Sequence, residues 1–193
     1  MTITSKPIKN APNKAEIKKL YLTAFPKEER LPWWLMRFWP ALKRSDLTAY
    51  YDGATFCGFT FTATAGEILY VMFFAVDSEV RGKGYGSAIL EHLKQSNPGQ
   101  TILLNVELLD ETAPNNHQRI KRMAFYKKNG FSDTGFNIRE VGGVFRVLSS
   151  TGKMDADAYQ KVFLKLSYGF WKPKITDATC ACGHVQSAGS YEQ

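Results

Sequence analysis

The sequence predicts a single α/β domain built on a mixed sheet, and three observations carry this prediction. Apolar residues recur at helical spacing in some segments and in short runs bounded by turn residues in others. Residues 67–76 form an almost continuous apolar run, which is typical of a central strand covered on both faces. The strand, helix and strand pattern over 67–109 predicts a right-handed crossover that places its two strands parallel. With 193 residues and 44% hydrophobic content, the chain fits one domain with a normal core.

The chain begins with a segment that we expect to be a flexible arm, over residues 1–12. Apolar residues at helical spacing then predict a first helix over 14–25, with Asn13 as its N-cap. A short tryptophan-rich helix is predicted between Pro32 and Pro40. Its aromatic side chains are expected to cover the core or to line a substrate pocket.

The middle of the chain predicts three strands joined by tight turns, followed by a helix and a fourth strand. Residues 47–51 and 54–63 flank an Asp-Gly turn and predict a β-hairpin, and the apolar run 67–76 follows a second turn. A helix is predicted over 84–95 and the next strand over 101–109.

The C-terminal third predicts two helices separated by a hairpin. The first helix covers 118–128 and ends in Asn-Gly. Strands over 134–140 and 144–149 flank a Gly-Gly turn, which is a strong hairpin signal. A last helix is predicted over about 155–165, and the final fifteen or so residues are expected to be weakly ordered.

These elements divide the chain into a flexible N-terminal arm (1–12), one domain (13–152), and a C-terminal helix and tail (153–193). The tail contains Cys180-Ala-Cys-Gly-His184. That motif lacks a fourth metal ligand, so we predict a free tail and no metal site.

The net charge of +7 is compatible with an anionic small molecule, a nucleic acid or an anionic membrane surface. The lysines are dispersed and are not interleaved with aromatic residues, so we expect no nucleic-acid partner. No apolar run approaches the ~20 residues of a membrane span, and the N-terminus shows no signal-peptide pattern. Three cysteines without framework spacing favour a reducing compartment. The expectation is a cytoplasmic protein without a membrane partner.

The segment 81–87, called the glycine loop below, contains three glycines at alternate positions in Arg81-Gly-Lys-Gly-Tyr-Gly86. Glycine lets backbone N–H groups approach a ligand closely, and the N-terminus of a helix attracts anions. The loop lacks the Gly-Lys-Ser/Thr ending of a P-loop, and its strand does not open the chain as a Rossmann strand would. The pattern alone is compatible with a phosphate site or with a plain tight turn.

A second motif, Ala124-Phe-Tyr-Lys-Lys-Asn-Gly-Phe131, lies on the helix after the next strand. Together the two motifs resemble those of the GNAT superfamily of acyl-CoA-dependent N-acetyltransferases. Arg81, Gly84 and Gly86 match the family's Arg/Gln-x-x-Gly-x-Gly/Ala signature, and the second motif matches its helix with a tyrosine four residues before a glycine. The resemblance covers roughly residues 14–150. It implies a mixed, strongly bent central sheet with helices on both faces.

The resemblance implies acetyl-CoA as co-substrate, with its pyrophosphate on the backbone amides of the glycine loop. In relatives, the strand before the loop offers backbone groups to pantetheine, and Phe74 and Val76 would do so here. Arg81 and Lys83 are candidates for added positive charge. The implied cofactor-binding residues are Phe74, Val76, Arg81, Gly82, Lys83, Gly84, Tyr85, Gly86 and Ser87.

The catalytic residues are also carried over from the resemblance. Tyr126 matches the family's general acid, and a phenol with an unperturbed pKa of ~10 can protonate a departing thiolate at neutral pH. Glu107 is the candidate base, with Glu28 and Glu29 as rivals. Asn105 is predicted to share a face of its strand with Glu107 and to orient substrate or water.

The function implied is transfer of an acetyl group from acetyl-CoA to an amine by direct attack in a ternary complex. Small molecules and peptides are both expected acceptors, and the expected state is a monomer or a homodimer. A non-catalytic acyl-CoA-binding or regulatory module and a nucleotide-binding enzyme are the alternatives. Many relatives carry asparagine seven residues before the tyrosine, where this chain has Arg119. The side-chain contact that this asparagine makes near the cofactor is therefore not carried over.

Overall fold

The computed structural model describes residues 1–140 and 143–178. In this part of the chain, eight strands form one sheet: β1 (Ile3–Pro7), β2 (Asp46–Asp52), β3 (Thr55–Ala65), β4 (Ile68–Val76), β5 (Thr101–Glu107), β6 (Ser132–Glu140), β7 (Gly143–Ser149) and β8 (Lys174–Asp177). Their order is β1-β2-β3-β4-β5-β7-β6-β8. All neighbours are antiparallel except β4 and β5, which are parallel as the crossover predicts.

Five α-helices are found in the described residues: α1 (Lys14–Ala24), α2 (Trp33–Ala41), α3 (Tyr85–Ser96), α4 (Asn116–Lys128) and α5 (Ala156–Leu166). Pro32 precedes α2 as predicted, whereas Pro40 lies inside its last turn instead of ending it. Asn13 precedes α1, but its side chain does not cap the helix. Its side-chain Nδ2 donates to Glu16, and its side-chain Oδ1 accepts from the Tyr51 hydroxyl.

The helices cover both faces of the sheet, which confirms the predicted fold class. Helices α1, α2 and α5 pack on the face that carries Phe59, Phe61 and Ala63 of β3. Helices α3 and α4 pack on the opposite face, against Leu69 and Val71 of β4. Because β4 is covered on both sides, its apolar residues do not alternate with polar ones. No helix in the described part of the chain is long and apolar enough to cross a membrane.

Both outer strands lie in segments that the sequence analysis placed outside the domain. Residues 1–12 do not form a free arm, because β1 pairs with β2 along its whole length and Ile8 and Ala11 are buried. At the other end, α5 packs against β3 and β4, and β8 pairs with β6. The tail motif with Cys180 lies outside the described residues.

Strands β4 and β5 part after four paired residues. Their ladder runs from Ile68 opposite Thr101 to Val71 opposite Leu104, although both strands continue beyond it. A register shift between β3 and β4 occurs at the same level, between Phe61 and Thr62. Such a bulge bends a strand and increases its twist. The consequence is an opening in the middle of the sheet, beside the glycine loop.

Candidate functional site

A cleft of about 800 Å³ lies where β4 and β5 part. Its lining residues come from both faces of the sheet: Leu104 and Tyr126 belong to the face covered by α3 and α4, and Tyr70 and Phe163 belong to the face covered by α5. The cleft therefore passes through the sheet. Two ligands can reach its centre from opposite sides, which is the geometry that a transfer between two substrates needs.

The glycine loop enters α3 without any side-chain cap. Gly84 is the N-cap residue, with φ +87°, and Gly82 has φ +77°, both in the left-handed region that favours glycine. The first of the helix's own hydrogen bonds runs from the Ala88 N–H to the Gly84 carbonyl oxygen, at 3.1 Å. The N–H groups in the first turn, from Tyr85 to Ser87, consequently have no acceptor within the helix. Free amides at a helix N-terminus form an anion site.

Gly86 has a different role, because it permits close packing. A Cβ at this position would lie 3.0 Å from Cζ of Phe125 and 3.4 Å from Cγ2 of Val76. The start of α3 thus lies directly against α4 and the end of β4. This contact fixes the free amides relative to the cleft.

The polar side chains of the loop hold its conformation. Arg81 lines the cleft and donates from Nε to the Val76 carbonyl oxygen at 3.1 Å. Lys83 is exposed and donates to a carbonyl oxygen of the preceding turn. The Tyr85 hydroxyl donates to Asp52 Oδ2 at 3.1 Å, and this bond raises the pKa of Tyr85. Of the three, Arg81 is therefore the one that faces a ligand in the cleft.

Phe74 and Val76 also line the cleft. Since the ladder with β5 ends at Val71, the edge of β4 that faces β5 has no strand partner over residues 72–76. On its other side β4 stays paired, with Phe74 opposite Thr60. An extended ligand can therefore lie along this free edge and bond to the backbone.

Tyr126 lies on α4 and faces the same cleft, with 8% of its surface exposed. Its ring packs between Phe125 and Phe131, with ring centroids 5.2 and 5.9 Å away. Burial raises the pKa of its hydroxyl to about 12, against a smaller lowering by Arg122. The phenol is thus protonated at neutral pH and is a proton donor, not a base.

Glu107 is held by α4. Its Oε1 accepts from Asn115 at 2.9 Å and lies 3.5 Å from Nε of Arg119, and its Oε2 accepts from Arg122. Arg119 also donates to Asn115 and to the Leu108 carbonyl oxygen, so this arginine holds the β5–α4 connection. Two guanidinium groups and one side-chain amide therefore occupy both carboxylate oxygens. This surrounding favours a structural role for Glu107.

Asn105 contacts a different set of residues, although it is two positions from Glu107. Its Nδ2 donates to Glu140 Oε1 at 2.7 Å and to the Tyr70 hydroxyl at 2.9 Å, and its Oδ1 accepts from the Tyr159 hydroxyl at 2.9 Å. Tyr70 in turn donates to Glu140 Oε1 at 3.2 Å. We call these four residues the Glu140 network. Asn105, Tyr70 and Glu140 line the cleft, and these hydrogen bonds leave Asn105 with little freedom to bind water.

Glu140 is the residue that the sequence analysis missed. Burial raises its pKa to about 7, against a smaller lowering by the hydrogen bonds from Tyr70 and Asn105. Both hydrogen bonds go to Oε1, and no described residue donates to Oε2. The signal was absent from the sequence, because Glu140 stands at the end of a hairpin strand, seventy residues from Tyr70.

Glu29, one of the rival bases, also lines the cleft, whereas Glu28 is exposed and does not. Burial raises the pKa of Glu29, and the nearby Glu107 raises it further. The charge of Glu29 in turn raises the pKa of Glu140. Two carboxyl groups without an ion-pair partner among the described residues therefore face the same space.

Comparison with known proteins agrees with this geometry. Residues 43–133 match the model of the acetyltransferase (GNAT) domain. A structure from Bacteroides thetaiotaomicron, described as an acetyltransferase of the GNAT family, has a TM-score of 0.68 at 22% identity and covers 89% of this chain and 100% of its own. A search of curated proteins gave no match.

Two further structures share the fold. The ribosomal-protein-S18-alanine N-acetyltransferase of Escherichia coli has a TM-score of 0.54 at 17% identity, covering 80% of this chain and 96% of its own. A GNAT family acetyltransferase of Elizabethkingia anophelis, solved with acetyl-CoA bound, has a TM-score of 0.51 at 17% identity, covering 76% and 96%. Residues 43–133 thus match the acetyltransferase (GNAT) domain, and the chain shares the fold of solved GNAT acetyltransferases.

Proposed function

We propose that the protein is an N-acetyltransferase that moves an acetyl group from acetyl-CoA to an amine by direct attack in a ternary complex. The observation that carries the proposal is the opening between β4 and β5, which joins the glycine loop and Tyr126 to the Glu140 network through the sheet. The structures with CoA or acetyl-CoA bound in other members of the fold support the choice of donor.

The residues present fit acetyl-CoA. The free amides of Tyr85 to Ser87 and the backbone of Gly82 to Gly84 would hold the pyrophosphate, with Arg81 adding positive charge. The free edge of β4 at Phe74 and Val76 would bind the pantetheine amides. The bound co-substrate supplies an acetyl thioester at the centre of the cleft. Lys83 donates to the carbonyl oxygen of Glu79 in the turn before the loop, so its contribution is to hold the loop conformation.

Tyr126 acts as the general acid in this proposal. When the amine nitrogen bonds to the acetyl carbon, the carbon–sulfur bond breaks and the Tyr126 proton goes to the thiolate. The buried phenol has no hydrogen-bond partner among the described residues, so its proton is free to be donated to a ligand. General acid catalysis of this kind contributes about 10²-fold or more to the rate.

Glu140 is the base that the geometry favours over Glu107. Its pKa of about 7 matches an acceptor of protons at neutral pH, the residue lines the cleft, and its Oε2 has no donor from the described residues. Glu107, by contrast, is engaged by two arginines. The amine proton would go to Glu140, held in place by Asn105 and Tyr70.

The test is a thiol-release assay with acetyl-CoA and a broad panel of amines, run beside calorimetric titration with CoA. Thiol release that depends on the amine, with mass spectrometry showing one added acetyl group, supports the proposal. CoA binding without thiol release for any amine would show instead a non-catalytic acyl-CoA-binding module. Tighter binding of ATP or NAD than of CoA would refute the choice of donor.

The base is assigned by comparing Glu140→Gln with Glu107→Gln. We expect kcat/KM of the wild type to rise with pH through about 7, since Glu140 must be ionised to accept a proton. Glu140→Gln should lower the rate about 100-fold and remove this limb of the pH profile. If the rise of kcat/KM with pH persists in Glu140→Gln and is lost in Glu107→Gln, Glu107 is the base.

A further inference from the structure

The α5 side of the cleft is acidic in a protein that is otherwise basic. Glu29 and Glu140 line it, and neither forms an ion pair within the described residues, while the chain carries a net charge of +7. They lie on separate elements, Glu29 in the turn before α2 and Glu140 at the end of β6. Two carboxylates brought together by the fold attract a cation, and this attraction is strengthened by their partial burial.

The basic residues that line the cleft are already engaged by other groups. Among the described residues that line the cleft, the only basic ones are Arg81 and Arg122. Arg81 lies at the glycine loop, on the donor side, and Arg122 is bonded to Glu107. A carboxylate on the acceptor would therefore meet Glu29 and Glu140, with Arg122 beside Glu29 already paired to Glu107, and like charges placed together are costly.

The walls beside these carboxylates are aromatic. They are formed by Trp39, Tyr70, Phe145, Phe163 and Trp171. Trp39 stacks on Phe61 with ring centroids 6.3 Å apart, and Trp171 packs edge-on against Phe163 at 5.3 Å. Aromatic faces bind apolar groups and also attract ammonium groups.

We propose that the acceptor is a primary amine on an aromatic or apolar body that lacks a carboxylate, with its ammonium group bound between Glu29 and Glu140. This inference rests on the proposed function and adds the class of acceptor. The body of the amine packs against the aromatic walls on the α5 side. The nitrogen then lies on the side of the opening opposite the glycine loop, where it can attack the acetyl group once Glu140 has taken the ammonium proton. The second proton, which the nitrogen loses after the carbon–nitrogen bond forms, goes to the Tyr126 phenolate left by protonation of the thiolate.

Tryptamine and tryptophan are a matched pair of probes, because they share ring and amine and differ in the carboxylate. Each is titrated by calorimetry into the protein saturated with CoA, so that binding is measured without turnover. We expect tryptamine to bind at least thirtyfold more tightly than tryptophan. Glu29→Gln and Glu140→Gln should each weaken the binding of tryptamine at least tenfold. Each should also reduce the ratio between the Kd of tryptophan and the Kd of tryptamine.

Glu28→Gln is the matched control, because it removes the same charge one position from Glu29 but outside the cleft. It should change tryptamine binding by less than threefold. Equal or tighter binding of tryptophan, or unchanged tryptamine binding in both cleft variants, overturns the inference.

Failure of the acceptor class and failure of the proposed function give different results. Amine-dependent thiol release that prefers carboxylate-bearing amines overturns the acceptor class alone. Selective tryptamine binding with no thiol release for any amine supports the site and overturns the transferase proposal.

Discussion

Glu140→Gln is expected to stabilise the protein at high pH while it lowers activity. In the wild type, burial raises the pKa of Glu140 from 4.5 to about 7. The folded protein therefore holds its proton at pH values where the unfolded chain has lost it. The associated stability is fully present below about 4.5 and is lost as the pH rises through about 7. Glutamine mimics the protonated form and does not titrate.

The magnitude follows from the size of this shift. A difference of about 2.5 pKa units corresponds to about 3 kcal/mol at pH 8 and to less than ~1 kcal/mol at pH 5. The glutamine carbonyl can still accept from Asn105 and Tyr70, so the Glu140 network stays intact. With a urea m-value of roughly 2 kcal/mol/M, the unfolding midpoint at pH 8 should rise by about 1.5 M.

The assay is urea unfolding of wild type, Glu140→Gln and the exposed control Glu28→Gln at pH 5 and pH 8. Initial rates of acetyl transfer are measured for the same proteins at the same two pH values. A variant that gains stability as it loses turnover would identify Glu140 as a residue kept for function at a cost in stability. Equal stabilisation at both pH values, or destabilisation at pH 8, would refute the reasoning, because the buried charge would then not be the cause.

Three further outcomes are expected. Tyr126→Phe should lower kcat about 100-fold while KM for acetyl-CoA and the melting temperature stay near wild type, and unchanged turnover across pH would remove Tyr126 as the acid. Gly86→Ala forces a Cβ to within 3.0 Å of Phe125 and should weaken CoA binding, measured by titration, about tenfold. An unchanged Kd for CoA would show that the start of α3 does not take part in CoA binding. Gly58→Ala would place a Cβ 2.3 Å from the Ala75 carbonyl oxygen and should cost about 3 kcal/mol in urea unfolding; a loss below ~1 kcal/mol would show that the two strands can separate there.

Local signals in the sequence predicted most of the fold. The spacing of apolar residues and the turn residues located the hairpin of β2 and β3, the crossover through α3, and the hairpin of β6 and β7. They did not locate β1 and β8. These strands are short and lie at the sheet edges, where the partner strand and not the sequence pattern provides the hydrogen bonds.

The candidate site divides in the same way. The glycine loop and the Tyr126 helix are contiguous motifs, so their residue types and spacing are visible in the chain, and the structure brings both to one cleft. The sequence does not show that Glu107 is ion-paired and that Glu140 is buried without an ion-pair partner among the described residues. Two identical side chains differ only in their neighbours: Arg119 and Arg122 engage one, and the other is buried beside Tyr70.

The sequence by itself thus indicated the family resemblance, the glycine loop and the tyrosine, because backbone conformation and motif spacing are local properties. Only the tertiary structure decided where β4 and β5 part, that the cleft passes through the sheet, and that its far side is acidic and aromatic. The physical reason is that the charge state of a carboxyl group and the shape of a cleft depend on burial and on partners distant in the chain, which folding alone brings together.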